Sequence, residues 1–280
     1  MLIHHYTNIE SLAMILSTKK IRFNRLDRVD DLEEGRIEVQ DVPLGKYTYV
    51  SCWTEDKEES IPLWKMYTDN GIGVRISLPK DMFKDYMFIG GLTGLDVSAV
   101  MRHIDMDQTP FMWKIPGSEY KGKNYLIIPI ESNNLATFYY KIQYVDDVLS
   151  KTKEQAEKII FDDIDYNMDL GKVGIFKHLR WEFEKESRFI LRIIPTSEEV
   201  SLFDAPKVAE LVKEAFSTKL PPHFETYDMA LKDDIFDDME ITLSPSLTAG
   251  QRVIVESLVK QYAPKAKIRE SILAKSVKLK

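Results

Sequence analysis

Cysteine is almost missing from this chain. Cys52 stands alone among 280 residues, so neither an internal disulfide nor a multi-cysteine zinc site can form. A reducing, cytoplasmic setting is therefore expected, with the thiol read as core. Glycine is sparse, with 12 residues, and no Gly/Ser-rich stretch, repeat or low-complexity segment marks a linker, so one domain over residues 1–280 is expected. Long apolar runs are also lacking: stretches such as Leu126 to Ile128, ending at Pro129, fall far short of the roughly 20 residues of a membrane span. The opening MLIHHYTN has no basic flank leading into an apolar run, and no secretory signal is read there. Positive charge is in deficit, with a net charge of −7, which argues against whole-molecule attraction to nucleic acid. No phosphate-cradling glycine loop or HExxH pair occurs. GIGVR at 71–75 follows a helical segment and lacks the third glycine of a dinucleotide fingerprint.

What is present suits one substantial core. Hydrophobic residues make up 44% of the chain, with 13 Tyr, 13 Phe and 4 Trp, enough large side chains to bury an interior. Charge is unevenly spread: Lys260 to Lys280 carries seven Lys or Arg and only one acid, Glu270. That segment is either a solvated basic tail or a contact for phosphate or nucleic acid.

The pattern of elements starts with a strand over Ile3 to Tyr6, then Thr7 as a helix cap with Glu10 as its reciprocal partner. Ile9, Leu12, Ile15 and Leu16 follow at helical spacing. IRFNRL reads as a strand, the acidic DDLEEG after it as a turn, and Tyr47 to Thr54 as an inner strand. Ser60 and Pro62 start a short helix over Leu63 to Asn70, which Gly71 stops. Strands are expected at Val74 to Leu78, Tyr125 to Pro129 and Phe138 to Val145, with helices over Lys151 to Leu170 and from Asp204. In WEFEKESRFILRI, residues 181–193, the odd positions are mostly apolar and the even positions mostly charged, the alternation of a half-buried strand. The end reads as strand, helix, strand: Glu240 to Leu243, a helix capped by Thr248 with Gln251 and stopped by Pro264, and a strand from Lys267. Antiparallel pieces first and a crossover unit last predict an α+β fold, a mixed and mainly antiparallel sheet with flanking helices.

Five blocks in order carry a resemblance: HYT at 5–7, LDRVDDLEEG at 26–35, VSCWTE at 50–55, LWKMYTDNGIGVRISL at 63–78 and FKHLRWEFEKESRFIL at 176–191. Together they resemble the family known as domain of unknown function 2971. More distantly, the order of a His ending the first strand, a Ser-bearing strand, an aromatic helix and a late strand with Glu is similar to that of ADP-ribosyltransferases. That likeness implies NAD as cofactor, held by His5, Tyr6, Thr7, Ser51, Trp64 and Arg188, with Glu184, Glu186 and Tyr67 in the catalytic role. It also implies a macromolecular acceptor and a bacterial defence or toxin-type setting, with a protein partner or homo-oligomer open. Cleavage of the nicotinamide bond has an oxocarbenium-like transition state, which a carboxylate beside the ribose stabilises. Glu186 is the nearer of the two acids to Arg188, so Glu184 is expected to be catalytic. These groups are expected to meet across one cleft.

Each residue also has a plain structural account. The His4–His5 pair fits one exposed and one backbone-bonded ring. Trp64 and Tyr67 fit a core, and Asp31 and Glu34 fit a decorated turn. Glu184 and Glu186 repel one another unless a cation lies near. Two other functions fit the same acids. One is a Mg²⁺-dependent nuclease using Asp31, Glu34, Glu184 and Glu186, whose usual lysine would be Lys185, on the wrong strand face. The other is a noncatalytic interaction module.

Overall fold

The computed structural model describes residues 1–89, 92–96, 111–116, 119, 124–128, 138–156, 170–198 and 205–277. A ten-stranded sheet forms its centre: β1 Leu2–Thr7, β2 Lys20–Arg25, β3 Thr48–Thr54, β4 Val74–Pro79, β5 Tyr125–Ile128, β6 Tyr139–Lys141, β7 Glu186–Pro195, β8 Thr226–Ala230, β9 Glu240–Leu243 and β10 Lys267–Glu270. The main order is β5-β7-β3-β1-β4-β9-β10; β6 also pairs with β7, and β2 joins β3 to β8. All pairings in this sheet are antiparallel except β9–β10. The fold is α+β, and the strand–helix–strand unit at its end is present as expected. Its helix carries the full reciprocal cap between Thr248 and Gln251.

Among the described residues six helices flank the sheet: α1 Ile9–Thr18, α2 Leu32–Gly35, α3 Ile61–Met66, α4 Val148–Ala156, α5 Ala205–Thr218 and α6 Ala249–Tyr262. Alternation along the inner strands sends side chains to two cores. Tyr49 and Trp53 of β3 pack with Leu12 and Leu16 of α1 and Val255 and Val259 of α6. Val50 lies in the second core, with Val148 of α4, Ile190 of β7 and Phe216 of α5. Among the described residues no helix is long and apolar enough to cross a membrane.

Several local expectations are corrected. Thr7 is the last rung of β1, opposite Val74, so Asn8 caps α1 instead, its side chain accepting from the Ser11 N–H at 2.7 Å. The expected strand at 138–145 is two short ones, Tyr139–Lys141 and Gln143–Val145, which join different partners. The aromatic helix ends at Met66 rather than Asn70. The helix expected from Lys151 to Leu170 runs Val148–Ala156; residues 157–169 lie outside the described residues, and Leu170–Lys172 is a 3₁₀ turn. DDLEEG is not a simple turn, because Leu32–Gly35 closes a turn of helix.

The largest correction concerns residues 181–193. Leu179–Glu184 is 3₁₀ helix, Lys185 sits in the left-handed region at φ 46°, and β7 begins only at Glu186. Alternation in that stretch mimicked a strand, but a three-residue period puts Trp181 and Glu184 on one side. Both then lie against Lys177, whose ammonium is 4.5 Å from the Trp181 ring and 2.5 Å from Glu184. β7 itself is buried on both faces from Glu186 to Ile194, so its charged positions are withdrawn from the outer surface.

Candidate functional site

The cavity grows from a fork in the sheet. β1 pairs with β3 only at His4 opposite Thr54, whereas β2 pairs with β3 only at Asn24 and Arg25, opposite Val50 and Tyr49. Ser51, Cys52 and Trp53 therefore face the gap between two strands that diverge, with α1 bridging them. In place of a strand partner, the Cys52 carbonyl accepts a hydrogen bond from His5 Nδ1 at 2.8 Å. A carbonyl can only accept, so Nδ1 carries the proton, and burial lowers the ring's pKa and keeps it neutral. Nε2 is then an acceptor.

A cavity of about 530 Å³ opens at this fork, within the range of roughly 300–1,000 Å³ usual for small-molecule sites. His5, Tyr6, Thr7, Ser51, Tyr67, Glu184, Glu186 and Arg188 all line it. The expected convergence is therefore present, over more than 180 residues of sequence. Trp64 is the exception. It is fully buried behind the wall, edge-on to Tyr6 at 4.9 Å, with its Nε1–H bonded to Glu59. It supports Tyr6 and does not reach the cavity.

One side of the cavity is a chain of buried charges. The Tyr67 hydroxyl donates to Glu184 Oε1, and Lys177 Nζ lies 2.5 Å from Glu184 Oε2 and 3.1 Å from Glu186 Oε2. Arg188 meets Glu186 through Nε at 2.5 Å and Nη2 at 3.0 Å, and Glu34 through Nη1 and Nη2 at 2.5 and 2.8 Å. Its fifth N–H reaches the Gly174 carbonyl at 3.2 Å. A guanidinium has five donors, so Arg188 has none left for a ligand and acts as scaffold.

Protonation follows from this packing. Burial works to raise the Glu186 pKa, but Arg188 and then Lys177 outweigh it and hold the carboxyl down at about 2. Burial prevails at Glu184 and Glu34 and raises both, against the pull of Lys177 and Arg188 respectively. Tyr67 is pushed up by burial and by Glu184, so it remains a donor. Cys52 lines the cavity instead of being plain core, and burial together with Glu186 raises its thiol pKa.

No protein-family model, curated protein or solved structure matches this chain. The site is thus defined by its own geometry.

Lys177 was not singled out from the sequence. Its signal was there, as a lone lysine on the short strand Phe176–His178 ahead of three acids, but only the fold turns it towards Glu184 and Glu186. Lys185, the lysine considered for a nuclease, points outward and pairs with Asp56 at 2.5 Å. The ammonium of Lys177 occupies the place between Glu184 and Glu186 that a shared cation would take. Among the described residues no three His, Cys, Asp or Glu side chains gather as a metal site. In the basic C-terminal segment, Lys265 pairs with Asp237 and Arg269 with Glu240, both at 2.6 Å, which reduces its free positive charge.

Proposed function

We propose that this protein is a cytoplasmic, NAD-using ADP-ribosyltransferase that modifies a macromolecular acceptor, in a bacterial defence or toxin-type role. The observation that carries this reading is the single cavity in which His5, Ser51, Tyr67 and the Glu184/Glu186 pair meet. Along its buried side four carboxyls, of Asp31, Glu34, Glu184 and Glu186, face two cations, of Lys177 and Arg188. That excess of negative charge suits the cationic nicotinamide ring and the positive charge that develops on the ribose as the ring leaves. In the reaction the bond from nicotinamide nitrogen to the ribose C1′ breaks, its electron pair leaving with nicotinamide. An acceptor nucleophile then attacks C1′ and gives up its proton.

Glu184 is the carboxylate assigned to this step. Tyr67 and Lys177 fix its two oxygens, each of which keeps a lone pair for a ribose hydroxyl. Glu186 is tied by Arg188 and Lys177 and positions the others. His5 Nε2 accepts from a second ribose hydroxyl. Ser51 already accepts from Trp53 Nε1 at 3.0 Å and keeps its own hydroxyl proton to donate. Lys20, Arg22 and Arg28 line the cavity, and the diphosphate is expected to lie towards them.

Calorimetry with NAD, followed by quantitation of released nicotinamide in excess chelator, tests the reading. Saturable binding and release that survives chelation are expected. Absence of binding by NAD and all its fragments, or phosphodiester cleavage that chelation abolishes, would sink it in favour of the interaction module or the nuclease.

A further inference from the structure

Among the four buried acids on the cavity wall, Asp31, Glu34, Glu184 and Glu186, one differs from the rest. Glu34, Glu184 and Glu186 each have both oxygens engaged by Arg188, Lys177 or Tyr67. Asp31 does not. Its Oδ1 accepts from the Glu33 N–H at 3.0 Å, but its Oδ2 has no hydrogen-bond partner among the described residues, although the residue is only 6% exposed and lines the cavity. A buried carboxylate oxygen left unsatisfied is costly, and such a group in a native site calls for a donor that the fold itself does not supply.

Position narrows which part of a ligand reaches Asp31. The chain of contacts runs from Tyr67 through Glu184, Lys177, Glu186 and Arg188 to Glu34, and Asp31 belongs to the Glu34 end, on the turn of chain that carries α2. Glu184 stands at the opposite end. We infer that Asp31 accepts a hydrogen bond from the hydroxyls of the adenosine ribose, the sugar remote from the bond that breaks, and so selects NAD over NADP. This rests on the NAD reading above. A carboxylate is the acceptor that pairs with a ribose diol elsewhere in dinucleotide recognition. The same charge, buried and without a counter-ion among the described residues, repels a 2′-phosphate, so one residue provides both attraction and exclusion.

The test is calorimetric titration of NAD and NADP into the wild-type chain and into Asp31→Asn. The amide keeps an oxygen for the Glu33 N–H and removes the charge, and circular dichroism checks that the variant is folded. NADP is expected to bind the wild type at least tenfold more weakly than NAD. Asp31→Asn should weaken NAD by roughly tenfold or more, the usual worth of a hydrogen bond to a charged group, and should bring the two affinities together. If NAD binds but NADP binds the wild type equally well, or if Asp31→Asn leaves NAD affinity unchanged, the assignment of Asp31 is wrong while the functional reading stands. The NADP comparison needs no variant, so a misfolded Asp31→Asn does not protect the assignment. If neither dinucleotide binds the wild type, the functional reading falls and this assignment falls with it.

Discussion

Glu186 commits its oxygens to Arg188 and Lys177, whereas Glu184 holds a hydroxyl and an ammonium and retains room for a substrate hydroxyl. The two acids should therefore fail differently when neutralised. Glu184→Gln should lower nicotinamide release a hundredfold or more, with the melting temperature within a few degrees of wild type, because Glu186 still balances Lys177. Glu186→Gln removes a partner from two buried cations and should cost on the order of 3–5 kcal/mol. Paired melting curves and turnover assays decide; an active Glu184→Gln beside a stable, inactive Glu186→Gln would exchange the roles. His4 gives a second prediction. Burial first, and Arg75 second, depress its pKa to about 4 from an ordinary 6.5. Below pH 6.5 the unfolded chain takes up a proton that the folded ring refuses until about pH 4. The stability from neutral His4 is thus complete above pH 6.5 and declines as pH falls to 4, by about 3 kcal/mol. Glu186, depressed from 4.5 to about 2, acts in the same direction over the next interval. Melting curves from pH 4 to 8 should show His4→Gln flatter than wild type, and identical slopes would exclude a neutral buried ring.

At the scale of elements, α2 is the piece whose placement matters most for so few residues. It carries Glu34 to Arg188, and it can do so because two glycines let backbones touch. A Cβ on Gly45 would lie 2.3 Å from the Gly35 carbonyl oxygen and 3.0 Å from its carbon, both main-chain atoms that cannot swing aside. Gly45→Ala must therefore push α2 off its seat and lengthen the Glu34–Arg188 contact. Overpacking of this kind costs about 1–3 kcal/mol, with the buried pair loosened in addition. A lower melting temperature together with faster amide exchange at residues 32–35 is expected. Unchanged exchange there would mean that the close approach does not hold α2. The 3₁₀ segment Leu179–Glu184 is the other decisive element. The left-handed Lys185 at its end turns Glu184 out of the line of β7 and towards Tyr67.

Across the whole molecule, the chain after β10 folds back onto the segment that carries Tyr67. Glu59, just before α3, accepts from Trp64 Nε1 at 2.9 Å, from Ser271 Oγ at 2.5 Å and from the Ile272 N–H at 2.8 Å. Leu273 packs against the cluster of Tyr6, Leu63, Trp64 and Tyr67. One carboxylate so ties two distant parts of the sequence, residues 59–64 and 271–272, beside the cavity. Glu59→Ala should release residues 271–277, visible as a loss of amide protection, and lower stability by about 1–3 kcal/mol. Full protection at 271–277 in that variant would show that Leu273 alone holds the segment.

The sequence by itself determined the class of fold, the inner strand at Thr48–Thr54 and the capped helix after Thr248, because periodicity and cap chemistry are local properties of a chain; the residues it offered for the cavity came from the order of its blocks, and they included Trp64, which stays outside, and omitted Lys177. It also carried the contrast between Glu184 and Glu186, through the nearness of Arg188. The tertiary structure alone decided the rest. Residues 181–184 obey a period of three and not two because the ammonium of Lys177 lies where Trp181 and Glu184 must both face it. Trp64 is core and Arg188 is saturated because partners from distant segments surround them. Glu34 and Asp31, alike as acids of one short acidic stretch, differ because Arg188 reaches only the first, and no local pattern records which of two neighbouring carboxylates a guanidinium 154 residues away will find.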